Sequence, residues 1–246
     1  MKVTGYSERG AVNALLYEIA YSNEALPLLE QFLGLAHFPE AKRIGTGLTD
    51  VHVLVEQSLS EFGDADARLL LDAGGTKTAV FLEAKVKTSQ ADAWTLEQEF
   101  ENFTRGCLTD RKLSSSNLFT QIYHKARLME GLRSSGIQCL QTGLRFSAAS
   151  TRGVRRIGTN PVVARAVETI DPYREDVWFL SLVPDKPPAV RDFFDRFPTI
   201  PWPLEPYTLD RSRWGGVAWE QIGPLCQQNN LTNTSRVLQF NNGQIF

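Results

Sequence analysis

The sequence predicts a mixed α/β fold in which a central sheet is flanked by helices. Three observations carry this reading. Strand-like runs cluster in the first third of the chain, two of them joined by Gly74-Gly75. An amphipathic helical pattern precedes them and several more follow. A further apolar run, Val177–Val183, stops at Pro184. The early strands form a meander rather than alternating with helices, which argues against a purely parallel, doubly wound sheet.

The elements follow in order. Residues 7–20 place Val12, Leu15, Leu16 and Ile19 at helical spacing, with Ser7 as N-cap. A second helix is predicted over 24–35, with Pro27 in its first turn and Gly34 near its end. Strands are predicted over 51–55, 67–72 and 78–87, with Gly74-Gly75 as a hairpin turn. Helices are predicted over 95–103, 117–132 and 161–170, the last capped by Asn160 with Pro161 in its first position. Residues 186–214, rich in proline and aromatic side chains, read as an irregular arm; 217–222 and 237–240 are short strand or helix candidates.

The chain has 246 residues, enough for one large domain. The organisation expected is a core over about residues 8–185 and a C-terminal extension over about 186–246, available for recognition or subunit contact. The formal net charge is −2, so a nucleic-acid partner needs a local basic face rather than a basic protein. No run approaches a membrane span and the first residues carry no apolar signal region, so the expectation is a cytoplasmic chain with no membrane partner. Cys107, Cys139 and Cys226 show neither metal-ligand nor disulfide spacing and read as buried thiols of a reducing compartment.

Chemistry concentrates in Phe81-Leu82-Glu83-Ala84-Lys85-Val86-Lys87. Side chains two apart share a strand face, so Glu83 and Lys85 point together, opposite to Leu82, Ala84 and Val86. A carboxylate and an ammonium are costly inside so apolar a strand unless they serve something. The bland alternative, a surface ion pair on an edge strand, fits the flanking apolar residues poorly. Upstream, Asp50 heads the run Val51-His52-Val53-Leu54-Val55. An Asp, a strand and then Glu-x-Lys suffice to hold a divalent cation beside a scissile phosphate.

This order of parts resembles the PD-(D/E)XK nuclease superfamily, the restriction-endonuclease-like fold. The residues that carry the resemblance are Glu18, Asp50, Glu83 and Lys85, within about the first 40% of the chain. Thr49-Asp50 stands where the family has Pro-Asp. The resemblance implies a metal-dependent deoxyribonuclease with a mixed central sheet flanked by helices. It implies Asp50 and Glu83 as Mg²⁺ or Mn²⁺ ligands, with the Ala84 carbonyl as a further oxygen. It gives Lys85 the task of orienting the attacking water, and Glu18 a part through a water or a second metal. Lys87 would meet a neighbouring phosphate, and Gln98 would supply a supporting amide. DNA is the implied partner and restriction, defence or repair the implied setting; cutting both strands with one site per chain favours a homodimer. A protein partner or activating signal is a further open role.

Several alternatives stay open. Asp72 competes with Asp50, although Gly74-Gly75 makes it a natural hairpin residue. Glu18 has Glu24 nearby, and a helix Glu is commonly just solvated. His37, His52 and His124 share no ligand spacing. Basic clusters at Arg152, Arg155 and Arg156, with Arg165 beyond, and at Lys125, Arg127 and Arg133 suit phosphate contact as well as a solvated face. Trp94, Trp202 and Trp214 suit core packing better than base stacking. The segment from Asp72 to Thr78 resembles the phosphate hairpin of sugar kinases in the actin-like ATPase superfamily, but no second phosphate loop accompanies it. A nuclease-like fold kept as a non-catalytic binding or assembly module is the remaining rival.

Overall fold

A computed structural model of the protein describes residues 7–87, 94–109, 113–145, 153–204 and 210–245. Two helices, α1 (Ser7–Ala20) and α2 (Ala25–Gly34), lead into a meander of β1 (Leu48–Val55), β2 (Ala67–Ala73) and β3 (Thr76–Ala84). Then come α3 (Leu96–Leu108), the long α4 (Leu118–Thr142), and a small pair, β4 (Leu144–Arg145) with β5 (Val154–Arg155). The chain continues through α5 (Pro161–Ile170), β6 (Val177–Val183), α6 (Pro187–Arg196), β7 (Trp214–Ala218), α7 (Ile222–Gln228) and α8 (Thr232–Phe240).

The main sheet has five strands in the order β1-β2-β3-β6-β7. The meander is antiparallel, and β3, β6 and β7 run parallel to one another. The turn between β2 and β3 needs left-handed backbone at both central residues, and Gly74 and Gly75 supply φ of 55° and 87°. The parallel half has its strand ends at one edge of the sheet, the usual place for a ligand crevice in open α/β sheets.

Alternation along the strands divides the core in two. Leu70, Ala79, Phe81 and Phe179 face α3 to α6, where Phe81 stacks on Phe179 with centroids 5.7 Å apart. Leu69, Leu71, Val80, Leu82 and Leu180 face α1, α2, α7 and α8. Burying such residues contributes roughly 1.5–3 kcal/mol each. Helix starts follow their caps: Asn117 accepts from the Phe119 and Thr120 amides, and Asn160 from that of Val162. Within α4, Gly136 takes φ 70° and ψ −177° and breaks the regular helix between the buried Leu132 and Leu140.

The segment read from sequence as an irregular arm and extension is built into this core. It supplies α6, β7, α7 and α8, and β7 pairs with β6 across Phe179–Val183. No fold boundary falls near residue 185, because Trp214 and Val217 are needed to close the two halves of the core. The outer edge of β7 is covered by the loop at His37, whose amide and carbonyl exchange hydrogen bonds with Gly216 at 2.9 and 3.0 Å. That approach requires a bare backbone: a Cβ on Gly215 would lie 2.4 Å from the His37 carbonyl oxygen. Among the described residues no helix is long and apolar enough to cross a membrane.

Candidate active site

Glu83 lies near the carboxyl end of β3, on the face turned to α4, and is wholly buried. Its neighbour two residues on, Lys85, is 7% exposed, so the two do form an internal pair of charges rather than a solvated edge. Burial pushes the Glu83 carboxyl above its ordinary pKa; Lys125 and Lys85 oppose that rise, and Asp66 adds to it. The nearest cation comes from α4: Lys125 Nζ sits 2.5 Å from Glu83 Oε1 and donates to the Asp64 carbonyl at 2.8 Å. The other carboxylate oxygen, Oε2, is buried with no hydrogen-bond partner among the described residues.

The acid facing Glu83 is Asp66. Ala67 pairs with Leu82, so Asp66 falls opposite Glu83 just before β2 begins. Its Oδ2 accepts the Ala84 amide at 2.8 Å, replacing the ladder bond the strand would otherwise make, and Oδ1 lies 3.6 Å from Arg9 Nε. Glu8, in the first turn of α1, completes this corner. Its carboxyl is raised mainly by burial and also by Asp66, while Lys85, Arg9 and the Val86 amide lower it. Glu99 of α3 is likewise raised by burial, with the Leu118 amide at 2.8 Å and the charge of Lys85 opposing. Lys85 therefore lies in the field of Glu8, Glu83 and Glu99. Behind them Arg68 of β2, 1% exposed, donates to the Gln57 carbonyl at 3.0 Å. Burial lowers its pKa to about 10, against the pull of Asp64 and Glu83.

Asp50 is not brought to this corner. It pairs with Asp72, which pairs with Lys77 at the start of β3, about 20 Å of strand away from Glu83. Asp72 is there too, accepting from the Tyr173 hydroxyl at 3.0 Å, so neither rival for the first acid meets Glu83. Glu18 lies at the far end of α1 from Glu8, about 15 Å along the axis. It accepts from the amides of Asn233 and Thr234 and caps α8. Ala84 follows Glu83 directly and is fully buried.

The residues read as nucleic-acid contacts divide. Lys87 emerges just past β3, its amide bonded to the Gln244 carbonyl at 2.7 Å. Gln98 is exposed on the first turn of α3 and bonds Asn102 of its own helix at 3.4 Å. Arg155 donates to the Glu61 carbonyl, and the Arg156 amide donates to the Glu61 carboxylate at 2.8 Å. Both therefore brace the loop that leads to Asp64 and Asp66. Arg152 lies outside the described residues.

The histidines lie apart from one another. His37 bonds Asp195 at 2.7 Å and His52 is exposed on β1. His124 is buried, and desolvation, with Arg155 and Lys125 nearby, drives its pKa down to about 3. A histidine depressed in the fold binds its proton mainly when unfolded, so stability should fall as pH drops from about 6.5 toward 3. His124→Gln should flatten that slope, read as the difference in urea-unfolding free energy between pH 7 and pH 5. Trp214 fills the core, donating to Ser181 at 2.9 Å, and Trp202 packs on Phe103. Cys226 is buried, whereas Cys107 and Cys139, expected to be buried, are partly exposed.

Sequence reasoning missed Asp66, Glu8 and Lys125 as partners of Glu83. A signal for Asp66 was present: counting back along the hairpin from Gly74-Gly75 places it across from Glu83. Among the described residues no group of three or more His, Cys, Asp and Glu side chains clusters closely enough to hold a metal ion. The donor types nonetheless suit a hard cation, since one Glu83 carboxylate oxygen has no hydrogen-bond partner among the described residues, with Asp66 opposite it. Comparison of the chain with protein-family models, with curated proteins and with solved structures finds no match.

Proposed function

We propose that the protein is a metal-dependent nuclease that hydrolyses DNA phosphodiester bonds, on a restriction-endonuclease-like fold. The element order supports the fold: a helix, a three-stranded meander, helices, then a strand parallel to β3. The observation that carries the chemistry is the meeting of Asp66, Glu83 and Lys85 at the carboxyl end of β3, with the Glu83 Oε2 unsatisfied. Asp66 and Glu83 would hold Mg²⁺ or Mn²⁺, with Glu8 at its margin. Bound there, such a cation lowers the pKa of an attacking water and offsets charge on the phosphate.

The remaining work falls to this chain's own groups. The Lys85 ammonium orients the water toward phosphorus and stabilises charge growing on the phosphate oxygens. Lys125, reaching from α4, holds one oxygen of the Glu83 carboxylate. Lys87, just past the strand, is placed for an adjacent phosphate.

A second reading has one observation in its favour. The closed ion pair of Glu83 with Lys125 is complete without a metal, as expected of a nuclease-like fold kept for binding or assembly. Incubating the protein and its Glu83→Gln variant with plasmid and single-stranded DNA, in Mg²⁺, Mn²⁺ or EDTA, separates the two. Metal-dependent cutting lost in the variant supports the nuclease. No cutting on any substrate, together with no metal-induced thermal shift, supports the binding module.

A further inference from the structure

We propose that the cavity between α1 and the corner formed by α7 and α8 binds a small organic cation, a ligand bearing ammonium or guanidinium groups. The cavity encloses about 700 Å³, within the range of small-molecule sites. It runs along α1 from Gly10 to Glu18, does not include Glu8 among its described lining residues, and the inference is independent of the nuclease reading.

The chemistry of the wall selects the ligand. Among the described residues that line it none is Lys, Arg or His, and one, Glu18, is a carboxylate. Three of its lone-pair positions are taken by the Asn233 amide at 3.1 Å and by the Thr234 amide and hydroxyl, each at 2.8 Å. A carboxylate offers about four such positions, so one acceptor site remains. Two of the lining asparagines differ in what they leave free. Asn13 commits its amide nitrogen to Glu56, and Asn229 commits its own to Gln31 and to the Leu225 carbonyl, both at 3.0 Å. Asn229 therefore has both N–H donors engaged and keeps its carbonyl oxygen, whereas Asn13 keeps one N–H and a buried carbonyl oxygen. Asn13 Oδ1 has no partner among the described residues.

Two aromatic rings complete the pattern. Tyr17 in the last turn of α1 and Tyr21 just past its end are 50% and 86% exposed, and both line the cavity. Rings so placed gain little from packing in the protein alone, and their faces attract cations. A wall of acceptors, one net negative charge and two π faces repels phosphates and carboxylates and favours a multiply protonated amine.

The test is calorimetric titration of the full chain with spermidine, with cadaverine, and with 1,5-pentanediol as the neutral analogue of cadaverine, all at one ionic strength. The expected result is saturable one-site binding of the amines and none of the diol. Tyr17→Ala/Tyr21→Ala should weaken amine binding about tenfold with an unchanged melting temperature, because both rings are largely exposed. Glu18→Gln should weaken it further, even if loss of the α8 cap lowers the melting temperature. Absence of saturable amine binding by the wild type would overturn the proposal. So would equal binding of the diol, or unchanged affinity in the double tyrosine variant, which would mark general attraction to an acidic chain.

Discussion

Asp66→Asn is expected to lower metal-dependent DNA cleavage by about a thousandfold, roughly 4 kcal/mol of barrier, while Asp50→Asn leaves the rate within about twofold. The two substitutions make the same chemical change at opposite ends of the sheet. Asparagine keeps an oxygen for the Ala84 amide, so the fold at this corner survives while the charge is lost. Single-turnover cleavage of a labelled duplex, at several Mg²⁺ concentrations, is the measurement. An Asp50 variant as inactive as the Asp66 variant would mean that the acid facing Glu83 is not the one that matters. A silent wild type would instead return the weight to the binding module.

Lys125→Met is expected to destabilise the fold by roughly 3–5 kcal/mol, because it strands the Glu83 carboxylate in a wholly buried position. Adding Glu83→Leu should restore much of that loss, since an apolar pair of similar volume removes both desolvation costs. The sign with pH follows from linkage. Burial already raises the Glu83 carboxyl, and losing Lys125, the largest opposing influence, raises it further. A carboxyl whose folded pKa exceeds its unfolded value binds its proton preferentially in the folded state. Stability then increases as pH falls through that folded pKa. The deficit of Lys125→Met relative to wild type should therefore be largest at neutral pH and shrink under acid. Urea unfolding of wild type, single and double variants at pH 7 and pH 5 measures it. A single variant as stable as wild type, or a double variant no better than the single, would show that the pair carries no such coupling.

The local grammar of the chain was legible. Continuous apolar runs mark β2 and β3, the Gly-Gly turn joins them, and Asn117 and Asn160 start their helices where capping chemistry predicts. The burial of Glu83 and Lys85 also follows from the apolar strand that holds them. These features depend on residues close in sequence, whose side-chain direction the backbone period determines by itself. Less legible was the acid opposite Glu83, for Asp50, Asp66 and Asp72 are equivalent until the hairpin register is counted. The tertiary structure alone decided that Lys125, some forty residues on, would neutralise Glu83, and that Glu18 would cap α8 while Glu8 reached the site. It likewise decided that the proline-rich C-terminal segment would supply the last strand of the sheet. Contacts of this kind join elements distant in the chain. Their partners are chosen by packing and by the cost of leaving a buried charge alone, which no local pattern records.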